Sequence, residues 1–227
     1  MEKLYLIHGF MGTGQAHFSH QIEAFKDDYD VIALDLPGHG NSTVELQGDY
    51  IEGAIRFVEQ QIEQHGKGYV VGLSLGATLA IHLALRTPEL MKGIVITGYS
   101  PFIPDELKGI MEEQHRHFLS IEDHEPEVAA HFNNLHGEKW KKIRRVVLDR
   151  MTYDYPSVSA ADLAALSVPA LILNGSIDPH EVDAVAFMKK ANPAIETGLI
   201  PGGSHIANMD CPKVYNEILR AFLEKKR

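Results

Sequence analysis

A chain of 227 residues, 44% hydrophobic and 23% charged, can bury one sizeable core and has the mixture of a folded globular protein, which excludes a disordered one. Its 31 acidic against 21 basic residues leave a formal charge of −10, which excludes the basic surface that nucleic acid or an anionic membrane would require. A single cysteine, Cys211, permits no internal disulfide and suits a reducing cytoplasm.

The opening "MEKLYLIHGF" is too short an apolar run for a signal-peptide core, and no stretch approaches the ~18 apolar residues of a membrane span. Six short apolar runs rich in Val, Ile and Leu read as buried parallel strands: Leu4–Ile7, Val31–Leu34, Tyr69–Val71, Ile94–Thr97, Ala170–Leu173 and Ile195–Ile200. Amphipathic stretches follow most of them. Asp49–His65 places Ile51, Ile55, Val58 and Ile62 on one face, and Leu75–Leu85 stops before Pro88. A last helix from Pro212 aligns Val214, Ile218, Leu219, Phe222 and Leu223, and ends on Lys225, Lys226 and Arg227, cations that suit a helix C-terminus. This alternation predicts an α/β fold: a mostly parallel, doubly wound sheet of about six strands flanked by helices. Between residues 101 and 165 the rhythm breaks into the charge-rich helical pieces Asp105–Leu119, Glu125–Leu135 and Glu138–Met151. So long a strandless insertion reads as a helical cap over a core made of residues 1–100 and 166–227.

Chemistry in such a sheet gathers at the carboxyl ends of the strands. His8-Gly9-Phe10 follows the first run, Asp35-Leu36-Pro37-Gly38-His39-Gly40-Asn41-Ser42 the second, and Gly72-Leu73-Ser74-Leu75-Gly76 encloses the end of the third. Asn174-Gly175-Ser176-Ile177-Asp178 follows the fifth, and Gly202-Gly203-Ser204-His205 the sixth. A serine, an acid and a histidine thus stand in the chain order expected when a G-x-S-x-G turn carries a nucleophile. These motifs together resemble the α/β-hydrolase fold family over nearly the whole chain outside the cap. The family's core usually opens on an antiparallel pair of strands, and here the "HGF" strand comes almost at once, so a trimmed sheet is expected.

The resemblance implies Ser74 as nucleophile, His205 as its base, Asp178 as the acid that orients the base, and the backbone N–H groups of Phe10 and Leu75 as the oxyanion hole. Plainer readings stand beside these. Ser74 could simply open a helix, Asp178 could make an Asx turn before Pro179, and His205 could be a loop histidine. His180 is a rival base. His8 and His39 read as structural members of turn loops, Asp210 as the start of the last helix, and Cys211 as ordinary packing. The run Lys139–Arg145 could bind an anion, or be the solvated side of a helix that buries Trp140, Ile143 and Val147. The cap histidines His115, His117, His124, His131 and His136 have no metal-ligand spacing, and no metal or cofactor is expected. A dinucleotide site at Gly9, Gly12 and Gly14 with Asp35 fails because His17 stands where the third glycine belongs.

The expected activity is hydrolysis of a small to medium carboxylic ester or thioester through a Ser74 acyl-enzyme, with a small-molecule acyl substrate, no nucleic-acid or membrane partner, and oligomeric state open between monomer and dimer. The alternative is proton abstraction by the same triad, as in the menaquinone-pathway lyase of this family. That chemistry would require several of Arg56, Arg86, Arg116, Arg144, Arg145 and Arg150 to converge on the site.

Overall fold

The computed structural model describes residues 1–45 and 48–225; Lys226 and Arg227, expected at the last helix terminus, lie outside the described residues. Six strands, β1 (Glu2–Ile7), β2 (Tyr29–Leu34), β3 (Gly68–Leu73), β4 (Met91–Thr97), β5 (Ala170–Gly175) and β6 (Glu196–Ile200), form one sheet in the order β2-β1-β3-β4-β5-β6. Every pairing is parallel, with Leu4 opposite Val31 on one side and Tyr69 on the other. The order reverses between β1 and β3, where a doubly wound sheet opens a crevice at its carboxyl end.

Two helical layers explain why the strands are apolar throughout. Tyr5, Ile7, Val70, Ile94, Ile96 and Ile172 point to one face, under α2 (Tyr50–His65), α3 (Leu75–Arg86) and, further along the sheet, residues of a later helix. Their neighbours Leu4, Leu6, Val71, Val95, Leu171 and Leu173 point to the other, against α1 (Gly14–Phe25). Successive strand residues alternate in direction, so burial of both faces demands an uninterrupted apolar run.

The segment between β4 and β5 holds α4 (Lys108–Leu119), α5 (Ile121–His124), α6 (Pro126–His136), α7 (Trp140–Tyr153) and α8 (Ala160–Ala165). It has a small core of its own, in which Ile121, Ala129 and Trp140 meet Met11 and Phe10 from the loop after β1. On α7, Trp140 and Val147 are buried and Lys141, Lys142 and Arg145 exposed. Arg144 departs from the expected solvated side: it is buried, lies over the Trp140 ring and pairs with Glu122. The α8 turn, opened by a Ser159–Asp162 capping box, packs instead on α9 (Pro179–Ala191), and Val158 and Leu163 belong to the core. The arch over the strand ends is therefore carried by α4–α7. The chain closes with the short α10 (Ala207–Asp210) and α11 (Pro212–Lys225), whose Tyr215, Leu219, Phe222 and Leu223 seal the α1 face. Among the described residues no helix is long and apolar enough to cross a membrane.

Candidate active site

Ser74 stands between the last residue of β3 and the first of α3, with φ 54° and ψ −112°. A positive φ is costly for a residue with a side chain, and here the surroundings enforce it. The Ser74 N–H donates to the Thr97 carbonyl at 2.8 Å, which ties the turn to the end of β4. A Cβ on Gly76 would lie 2.0 Å from the Ile7 carbonyl oxygen, so only glycine lets the helix begin this close to β1. The result is a serine raised on a sharp strand-to-helix turn at the carboxyl end of the sheet.

His205 reaches the same place from the loop after β6. Asp210, expected to start the last helix, instead ends α10 and accepts from the Ser204 N–H at 2.9 Å and from its hydroxyl at 2.5 Å, which staples the loop beside His205. Gly98 has φ 58°, and a Cβ there would meet the His205 carbonyl at 2.4 Å and the ring at 3.1 Å. The imidazole therefore lies against the residue that follows Thr97, while Thr97 itself holds Ser74. Serine and histidine flank one strand end.

The carboxylate on the histidine is Glu181, and this corrects the expectation for Asp178. His205 Nδ1 is 2.5 Å from Glu181 Oε1, so Nδ1–H donates to the carboxylate and Nε2 is left with its lone pair. The Glu181 side chain is 6% exposed and that of His205 51%, which makes a dry acid behind a ring with one open edge. Asp178 instead caps α9, accepting from the His180 N–H at 2.9 Å. The spacing explains both. Asp178-Pro179-His180-Glu181 places an Asx cap, a proline at the first helical position and an acid one turn on. Asp178 stays exposed at the start of its own helix, and Glu181 is the acid whose side chain meets His205. That cap signature was the readable signal that Asp178 was occupied. Asn174 steadies the turn from below, donating to the carbonyls of Glu181 and Tyr99.

The two segments expected to supply the oxyanion donors both adjoin the serine. A Cβ on Gly9 would be 3.2 Å from Ser74 Cβ, so the Gly9–Phe10 peptide passes directly beside it. Leu75 is the first residue of α3, where no intrahelical carbonyl reaches its N–H. His8 and His39 are buried with ring centroids 4.9 Å apart. Leu36 N–H donates to His8 Nε2 at 3.0 Å, and His8 Nδ1–H donates to the Gly9 carbonyl at 2.8 Å, so the ring is neutral and burial pushes its pKa down to about 4. Buried His115 pairs with Asp149, and exposed His117 with Glu125. Among the described residues no three His, Cys, Asp or Glu side chains gather as a metal site would.

The family model described as "Alpha/beta hydrolase family" matches residues 4–218. The (E)-2-((N-methylformamido)methylene)succinate hydrolase of Acinetobacter baylyi is 26% identical, over 98% of this chain and 90% of its own. A pimeloyl-[acyl-carrier protein] methyl ester esterase of Nitrosospira multiformis is 25% identical over 92% and 89%. Among solved structures, NosK from Streptomyces actuosus superposes with a TM-score of 0.92 at 32% identity, over 99% of this chain and 98% of its own. MenH from S. aureus, at 18% identity, shares the fold with a TM-score of 0.80, over 99% of this chain and 94% of its own. With its elbow serine on a parallel sheet and a likeness that runs from end to end, the chain belongs to the alpha/beta hydrolase family and is an enzyme.

Proposed function

We propose that the protein is a cytoplasmic serine hydrolase that cleaves an uncharged, small to medium carboxylic ester or thioester through an acyl-enzyme on Ser74. The observation that carries this reading is the buried Glu181 carboxylate on Nδ1 of His205, beside a serine held on its elbow. Glu181 holds the ring in the tautomer whose Nε2 can take a proton, and stabilises the imidazolium that then forms. The Ser74 Oγ–H proton passes to His205 Nε2 as Oγ bonds to the acyl carbon. The N–H groups of Phe10 and Leu75 receive the oxyanion, and the alcohol or thiol departs with the proton from His205. Water then repeats the two steps and releases the acid. Apolar rings support a small acyl pocket: Phe10 of the core meets Phe118 of the cap edge to face, 5.8 Å between centroids.

The lyase alternative has less support. Arg86 pairs with Glu52, Arg144 with Glu122 and Arg150 with Asp49, while Arg56, Arg116 and Arg145 are exposed. Arginines held by acids elsewhere are poor receptors for a polycarboxylate. The test is turnover of acyl esters and thioesters of graded chain length, with labelling by a fluorophosphonate probe. Ser74→Ala should abolish both. Turnover or labelling that survives the substitution would overturn the assignment.

A further inference from the structure

Four backbone groups of the loop Gly9–Gly12 are held by hydrogen bonds, and histidines make three of those four ties. Gly9 N–H donates to His17 Nδ1 at 3.1 Å. The Gly9 carbonyl receives His8 Nδ1–H at 2.8 Å and the Gly12 N–H at 3.2 Å. The Met11 carbonyl receives His136 Nε2–H at 3.0 Å, across 125 residues of sequence. His136 is the last residue of cap helix α6, and its other nitrogen, Nδ1, accepts from the Gly40 N–H at 2.9 Å in the loop after β2. Met11 sits at φ 53°, one of two residues other than glycine with positive φ among the described residues; Ser74 is the other. A conformation of that cost persists only where neighbours over-determine it. The Phe10 N–H, between these pinned groups, has no partner among the described residues.

We propose that His136 and His17 are positioning residues that hold the Gly9–Gly12 loop in its strained form, so that the Phe10 N–H faces the acyl oxygen only while the cap is seated. This rests on the acyl-transfer reading above. His17 fixes the loop from the α1 side, its ring stacked on Gly12, where a Cβ would come within 2.1 Å of it. His136 fixes it from the cap side and is buried. One imidazole thereby ties three pieces together: the cap, the oxyanion loop and the loop after β2. Displacing the cap would release the Met11 carbonyl and free the Met11–Gly12 peptide to turn as Met11 relaxes to negative φ; the Gly12 N–H of that peptide would then leave the Gly9 carbonyl, so the Gly9–Phe10 peptide that carries the donor would lose one of its two ties. Substrate entry and assembly of the oxyanion hole are thus one motion, and the cap contributes to chemistry as well as to substrate fit.

The test compares His136→Phe, which removes both contacts, with His136→Gln, whose amide carries one acceptor and one donor. On the best ester of the panel, His136→Phe should lower kcat by about 10²-fold, the loss expected for one oxyanion donor, with KM unchanged within about threefold. His136→Gln should recover most of that loss. A phenylalanine variant that folds and keeps kcat, one that changes KM alone, or a glutamine variant no better than phenylalanine would overturn the proposal. Should His136→Phe fail to fold, nitrogen-15 spectra of the unsubstituted protein at neutral pH decide. A proton on Nε2 and a bare Nδ1 are expected for His136, and the opposite tautomer overturns the proposal. Turnover that survived Ser74→Ala would instead overturn the acyl-transfer reading, and the oxyanion role with it.

Discussion

Acidification from about pH 7.5 to about pH 5 should remove about 4 kcal/mol of folding stability through His8 and His17 together. Each ring nitrogen that accepts a backbone N–H, His8 Nε2 from Leu36 and His17 Nδ1 from Gly9, would carry a proton facing another proton if the imidazole were charged. Burial pushes both pKa values from 6.5 down to about 4, and for His17 the nearby His205 acts in the same direction. The unfolded chain therefore binds more protons than the folded one between about 6.5 and about 4, so stability rises with pH across that window and is lost as pH falls through it. At about pH 5 the difference amounts to about 2 kcal/mol for each ring. His39 and His136, lowered by the same burial, add to the loss. With a urea slope of about 2 kcal/mol/M, the unfolding midpoint should fall by about 2 M. Equilibrium urea titrations at the two pH values measure it. An unchanged midpoint, or a His8 imidazole that titrates near 6.5 in the folded protein, would refute the reasoning.

Glu181→Gln should lower kcat by about 10³- to 10⁴-fold, because the amide favours the wrong His205 tautomer, whereas Asp178→Asn should leave kcat within about threefold, since asparagine also caps helices; the reverse ranking in steady-state kinetics would return the orienting role to Asp178. Phe118→Ala should enlarge the space against Phe10 and shift kcat/KM toward longer acyl chains by about 0.8 kcal/mol per added methylene, while labelling of Ser74 by the probe is spared. Gly98→Ala should cost activity out of proportion to stability: its Cβ would press on the His205 carbonyl and ring while His205 itself is half exposed, and a variant with normal kcat and an unaltered pH profile would show that the contact is slack.

The repeated apolar runs determined the fold class without help from the structure, because a strand buried on both faces cannot be written any other way. The elbow was equally legible: a side chain at Gly76 would strike β1, and one at Gly72 would strike the first turn of α3, so glycines stand on both sides of Ser74. Local chemistry of this kind leaves its mark within a few residues. The acid did not. Asp178 and Glu181 both precede His205 on the same loop-to-helix segment, and the choice between them depends on which carboxylate the first turn of α9 already engages. Asp210 and Arg144 misled for a related reason, since each has a plausible local role that a partner elsewhere in the fold overrides. His136 lay furthest from view. Nothing near it in the chain distinguishes it from the other cap histidines, and its role exists only because folding carries α6 across to the Met11 carbonyl, where a buried C=O must find a donor.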